Sequence, residues 1–202
     1  MPRILLVRHG QSEWNADGRW QGQADIALSA LGRRQAHVAT QKLGTFDVIA
    51  ASTLMRAAET AYIISTELGI GPIVPVPDLI ERSAGEWSGL TRHDIERDWP
   101  GYLEADQRPP TYELDDELWP RIDAGLRAVA ELLADPRDEA LVVAHGGIIY
   151  LLEDRAGWRR GRCPNLGAIW LDVADDGSFT VGERVELIDE GELASAQASD
   201  IL

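Results

Sequence analysis

The stretch Leu141-Val142-Val143-Ala144-His145-Gly146-Gly147 is a short apolar run that leads straight into a histidine and two glycines. Four apolar residues without alternation read as a strand covered on both faces, the habit of a parallel sheet flanked by helices. A second such run, Ile4-Leu5-Leu6-Val7, leads into Arg8-His9-Gly10. A third, Val48-Ile49-Ala50-Ala51, ends in Ser52-Thr53 and reaches Arg56 at the start of the next segment. Helical patterns lie between these runs. Ser29 caps an apolar-periodic stretch that is expected to stop with Gly44 as its C′ glycine, and a second pattern over 54–68 is closed by Gly69. The run 73–76 reads as an edge strand because of its prolines.

Residues 77–120 are polar and rich in turn formers, with one helix begun by Thr91 and Asp94 as a capping-box variant. A long amphipathic helix is expected over 121–133, and another after His145 as far as about Ala156. The runs 168–173 and 179–185 alternate like a hairpin around Asp175-Asp176-Gly177. Strands alternating with helices give an α/β domain with a mainly parallel central sheet, one domain over 1–202. Ligands of such sheets sit beyond the carboxyl ends of the strands. If the three strands are neighbours, His9, His145, Arg8 and Arg56 converge on one point, and the adjacent glycines let backbone N–H groups approach a ligand. That focus of basic groups is what a phosphate requires.

Composition bounds the rest. Of 202 residues, 45% are hydrophobic and 26% charged, which excludes disorder or a coiled coil for the whole chain. The single cysteine, Cys163, excludes a disulfide framework or a multi-cysteine metal site and fits a reducing cytoplasm. Arg8 and His9 interrupt the N-terminal apolar run too early for a signal peptide, and no run is long enough for a membrane span. Nineteen Lys+Arg against thirty-four Asp+Glu, a net charge of −15, argue against nucleic-acid binding. An anionic substrate stays compatible, because screening over about 8 Å lets a local cationic cluster override the global field.

Four blocks then carry a resemblance. They are Arg8-His9-Gly10-Gln11-Ser12-Glu13-Trp14-Asn15; Ser52-Thr53-Leu54-Met55-Arg56-Ala57-Ala58-Glu59-Thr60; Leu79-Ile80-Glu81 with Gly85-Glu86-Trp87-Ser88-Gly89; and Val143-Ala144-His145-Gly146-Gly147. In this order they resemble the histidine phosphatase superfamily with its phosphoglycerate mutases, over residues 3 to about 150. The resemblance implies a three-layer α/β/α, phosphoglycerate mutase-like fold. It implies His9 as the nucleophile, neutral when it attacks, a state that neighbouring arginines favour. Arg8, Arg56 and His145 would hold the non-bridging phosphoryl oxygens, and arginine's planar fork suits that task. Asn15, Gln21, Gly22 and Gly146 complete the implied substrate-binding set. Glu81 would protonate the leaving group and then activate water, its proton held beforehand or acquired from the substrate. No metal and no other cofactor is implied, since cationic side chains stand in for the usual metal clamp.

Taken singly, these residues have ordinary explanations. A histidine at a strand end is commonly a packing residue, Arg56 can pair with Glu59 on its own helix, and Glu81 alone reads as surface charge. His37 and His93 read as solvated, Cys163 as structural, and Trp14, Trp20 and Trp87 as mouth or core. Glu183, Glu186, Asp189, Glu190 and Glu192 read as a solvated acidic tail, and 193–197 bear a faint likeness to actinobacterial glucosyl-3-phosphoglycerate phosphatases.

Three functions compete: a phosphomonoester hydrolase, a cofactor-dependent phosphoglycerate mutase, and a non-catalytic phosphate-binding module. The short segment between Glu81 and His145 lacks the paired arginine of the mutases, and His9, Glu81 and His145 are all in place, so hydrolase is the expectation. Its substrate is expected to be a small phosphorylated metabolite, such as a sugar phosphate or glycosyl phosphoglycerate. Acids in Leu114-Asp115-Asp116-Glu117-Leu118 are expected at the cleft rim, disfavouring heavily charged substrates. A homodimer, common among relatives, is a further expectation, with no nucleic-acid or membrane partner.

Overall fold

The computed structural model describes residues 1–158 and 160–188. Three apolar runs become parallel strands: β1 (Arg3–Arg8), β2 (Val48–Ala51) and β4 (Glu139–Ala144), with the short β3 (Val74–Pro75) at one edge. The antiparallel hairpin of β5 (Gly167–Val173) and β6 (Phe179–Glu186) closes the other side, giving the order β3-β2-β4-β1-β5-β6. The sheet is mixed and mostly parallel, with helices on both sides.

Residue alternation explains the layering. Ile4 and Leu6 face one apolar cluster with Val142 and Ala144; Leu5 and Val7 face the other with Leu141 and Val143. The first cluster is covered by Leu118, Ile122, Leu126 and Val129 of α5 (Asp115–Ala130) and by α6 (Gly146–Arg155). Ala39 of α2 (Ala30–Thr40) and Ala57, Ala61 and Ile64 of α3 (Met55–Leu68) cover the second. Strands buried on both faces cannot alternate with polar residues, which is why they appear as unbroken apolar runs. The remaining helices, α1 (Glu13–Ala16) and α4 (Arg92–Asp98), each begin with a capping box, at Ser12 and Thr91.

Several expectations shift. The α2 helix ends at Thr40 with Gln41 as its cap, so Gly44 is not its C′ residue, whereas Gly69 does close α3 in the left-handed region at φ 68°. The α5 helix starts at Asp115, six residues before the expected start, and carries Pro120 in its second turn. Proline there removes one backbone donor, and three acids in the first turn with Leu118 buried beneath outweigh that loss. Glu183 and Glu186 belong to β6, not to a tail; Asp189, Glu190, Glu192 and 193–197 lie outside the described residues. Among the described residues no helix is long and apolar enough to cross a membrane.

Candidate active site

The register of the sheet assembles the site. Arg8 pairs with Ala144 across β1 and β4, and Ala51 with Val143 across β2 and β4. His9 N–H donates to Ala144 O at 3.0 Å and Ser52 N–H to Val143 O at 2.9 Å. His9, His145 and Ser52 therefore leave three adjacent strands at one carboxyl edge, where the sequence places them.

His9 is 3% exposed, and its two ring nitrogens are distinguished by their partners. Nδ1 lies 2.6 Å from the Gly10 carbonyl, which can only accept, so it carries the proton. Nε2 receives Arg56 Nε–H at 3.2 Å and is therefore the lone pair. This assignment follows from the hydrogen-bond network. Burial, then the charges of Arg56 and Arg8, hold the His9 pKa well below its usual 6.5, so the ring is neutral. Arg56, 1% exposed, also donates to Ala24 O and Gly22 O, both at 2.8 Å. Burial lowers its pKa to about 10, which leaves it cationic at neutral pH. Glu59 is engaged instead by Arg33 at 2.6 Å, so the within-helix pairing with Arg56 is absent.

His145 lies behind His9 and is fully buried, with ring centroids 5.2 Å apart and Nε2 2.7 Å from Ser52 Oγ. Burial and then Arg56 push its pKa well below 6.5 as well. Arg8 is anchored by Nη1 donating to Cys163 O at 2.5 Å, which makes the cysteine's role one of backbone and packing. Four buried side-chain nitrogens have no hydrogen-bond partner among the described residues, and two of them, Arg8 Nε and His145 Nδ1, flank His9. Two buried polar nitrogens left without protein partners on either side of His9 suit a polar ligand at that point.

Glu81 stands across the cleft, its carboxylate accepting from Arg82 N at 2.8 Å and from Gly147 N at 3.1 Å. A Cβ at residue 147 would collide with Glu81 Oε1, so this glycine is required where the α6 N-terminus meets the acid. Two of the glycine N–H groups near the histidines serve the protein itself. Gly147 holds Glu81, and Gly10 N–H donates to Thr60 Oγ1 at 3.1 Å.

Asn15 uses Oδ1 to accept from Ser12 N at 3.3 Å and Asn165 Nδ2 at 3.4 Å, leaving its amide nitrogen for the cleft. Gln21 accepts from Ser12 Oγ at 2.7 Å in the same way. Both line the cleft, together with Gly22 and Gly146. The cleft has a volume of about 1080 Å³, and seven arginines against five acids line it in a chain whose total is −15. Composition could not locate this inversion. Nor did sequence reading find Arg82, Tyr112, Tyr150, Trp158 or Arg162 on the lining, because they lie in loops or helices without a motif. Trp20 lines the mouth, whereas Trp87 is fully buried in a small cluster with Ala84 and Ile95. His93 is exposed, and His37 pairs with Glu67 on the surface.

The family model of the histidine phosphatase superfamily (branch 1) matches residues 4–181. The chain belongs to this superfamily. Among relatives within the histidine phosphatases, a Bacillus subtilis protein described as the uncharacterized phosphatase PhoE is 37% identical, covering 75% of this chain and 76% of that protein. A glucosyl-3-phosphoglycerate phosphatase of Mycolicibacterium vanbaalenii is 34% identical over 99% of this chain and 98% of its own. The solved structure of a mycobacterial glucosyl-3-phosphoglycerate phosphatase with VO3 superposes with a TM-score of 0.77 at 31% identity, covering 89% and 95% of the two chains. The six-stranded sheet thus has the phosphoglycerate mutase-like α/β fold of other histidine phosphatases.

Proposed function

We propose that the protein is a phosphomonoester hydrolase that works through a phosphohistidine on His9. The observation that carries this reading is the neutral His9 with its Nε2 lone pair beside two orphaned buried nitrogens, Arg8 Nε and His145 Nδ1. In the first step Nε2 attacks phosphorus, the N–P bond forms and the ester P–O bond breaks. The leaving oxygen takes a proton from Glu81. In the second step Glu81, now a carboxylate, takes a proton from water; the oxygen attacks phosphorus and the N–P bond breaks, releasing phosphate and neutral His9.

Arg8, Arg56 and His145 stabilise the charge on the equatorial oxygens, with donors already fixed before the substrate arrives. Asn15 and Gln21 add amide donors, Gly22 fixes Arg56 through its carbonyl, and Gly146 opens the helix N-terminus to the ligand. The reaction needs no metal, because these cations perform the clamping. The names of the relatives support a phosphatase acting on a small phosphorylated metabolite such as a sugar phosphate or a glycosyl phosphoglycerate.

Of the acids expected at the rim, only Asp115 lines the cleft. Asp115 is bound by Arg82 at 2.5 Å, and Glu117 accepts from Leu114 N at the start of α5. The test is phosphate release from 4-nitrophenyl phosphate in EDTA, comparing wild type with His9→Ala. Turnover that survives EDTA and drops by at least about 10³-fold in the variant is expected for loss of a covalent nucleophile. Equal rates in both proteins would remove His9 from the reaction. An inactive wild type that interconverts phosphoglycerates with a bisphosphoglycerate present would make it a mutase.

A further inference from the structure

In this acidic chain most arginines sit on a carboxylate: Arg33 on Glu59, Arg121 on Glu113, Arg127 on Asp123, Arg184 on Glu153. Arg162 is different. Its guanidinium lines the cleft with no hydrogen-bond, carboxylate or ring partner among the described residues. It is near enough to Arg8 for its charge to oppose that of Arg8. Two residues earlier, Arg160 also lines the cleft with no carboxylate partner among the described residues, stacked 3.6 Å over Trp158 and donating to Gly182 O at 3.3 Å.

The backbone that carries this pair is built from behind. Arg184 of β6 grips the buried Glu153 of α6 through Nε at 2.7 Å and Nη2 at 2.6 Å. Its three other N–H bonds go to the carbonyls of Arg160 and Arg162, both at 3.1 Å, and of Gly161, at 2.8 Å. All five guanidinium donors are thereby used. The loop is held in place before any ligand arrives, and the carbonyl of the next residue, Cys163, positions Arg8. Glu153 is paired by this contact, leaving Asp154 as the carboxylate of α6 that lines the cleft with no ion-pair partner among the described residues.

Away from His9, two other arginines of the lining are already balanced. Arg82 holds Asp115 at 2.5 Å and Arg108 holds Asp106 at 2.7 Å, beside Trp20 and Tyr112. Those walls suit an uncharged, polar portion of a ligand.

We propose that the wall of Arg160 and Arg162 is a second anion subsite, and that the substrate's leaving group carries a carboxylate a few bonds from the phosphoryl group. This rests on the reading of the His9 pocket as the phosphoryl site. A single carboxylate matches the wall's surplus, two arginines against Asp154, and pairs with a planar guanidinium fork.

The test compares two probes, 3-phosphoglycerate and glycerol 3-phosphate, which differ by a carboxylate against a hydroxymethyl group. Isothermal titration in a His9→Ala background reads binding without phosphoryl transfer. The parent is expected to bind 3-phosphoglycerate about tenfold or more tighter than glycerol 3-phosphate, the size of one charged hydrogen-bonded contact. Arg162→Ala is expected to erase most of that preference, and Arg162→Glu to reverse it. Equal affinities in the parent, or a preference unchanged in both variants, overturns the subsite. Absence of hydrolysis in the otherwise wild-type protein, with the binding preference intact, overturns the hydrolase reading alone.

Discussion

At the scale of single residues, the site keeps two histidines neutral at acidic pH values where water would charge them. His9 and His145 both keep pKa values well below 6.5, through burial first and the Arg56 charge second. In the unfolded chain both return to about 6.5. Below that pH the unfolded chain therefore takes up protons that the folded one refuses, and stability falls as the solution is acidified. Each histidine adds a slope of about 1.4 kcal/mol per pH unit downward from 6.5 until its folded pKa is reached. Urea unfolding between about pH 7.5 and 5.5 is expected to show this loss, with a shallower slope for His145→Asn. Identical slopes in the two proteins would mean that His145 titrates as it does in water. Because the His9 pKa is held well below 6.5, its Nε2 lone pair is not lost as the pH falls through 6.5.

At the scale of elements, the α6 N-terminus does two things at once. It follows β4 directly, so His145 is both strand end and helix cap, and Gly147 two residues later holds Glu81. The α6 backbone thus ties Glu81, the proposed general acid, to the strand end that carries His145. Gly147→Ala puts a methyl group where Glu81 Oε1 lies, and the flexible carboxylate, rather than the helix, must give way. A fall of about 10² in kcat is expected for an alkyl phosphate, the usual worth of a positioned general acid. The melting temperature should move by only a few degrees. A variant as active as wild type would show that Glu81 works from another position.

At the scale of the whole molecule, a residue close to the end of the described chain supports the site built at its beginning. Arg184 in β6 ties the hairpin to α6 and to the 160–162 loop, and that loop leads to the carbonyl on which Arg8 rests. Arg184→Met leaves Glu153, 2% exposed, as an uncompensated carboxylate. A loss of about 3–5 kcal/mol in denaturant unfolding is expected, and the double variant with Glu153→Gln should recover part of it. If the double variant is no more stable than the single one, the loss does not come from the stranded charge.

The amino-acid sequence by itself determined the layered architecture and the floor of the site. Ile4–Val7, 48–51 and 141–144 are unbroken apolar runs, and only a sheet buried on both faces makes use of them. The residues that follow such runs must emerge at one edge of a parallel sheet, so His9, His145, Arg8 and Arg56 converge once the three strands are neighbours, as the order β2-β4-β1 makes them. Helix limits were legible where a cap is local, as at Ser29, Thr91 and Gly69, and were missed at Asp115, where packing of Leu118 outweighs the proline that follows. Only the tertiary structure decided the rest: which nitrogen of His9 carries the proton, that the Gly10 and Gly147 amides serve the protein, that Asp115 pairs with Arg82, and that Arg162 has no partner among the described residues. These depend on contacts between residues far apart in the chain, such as Arg184 with Glu153 or Arg8 with Cys163. No local spacing encodes such distances; they exist only once the sheet has set its register.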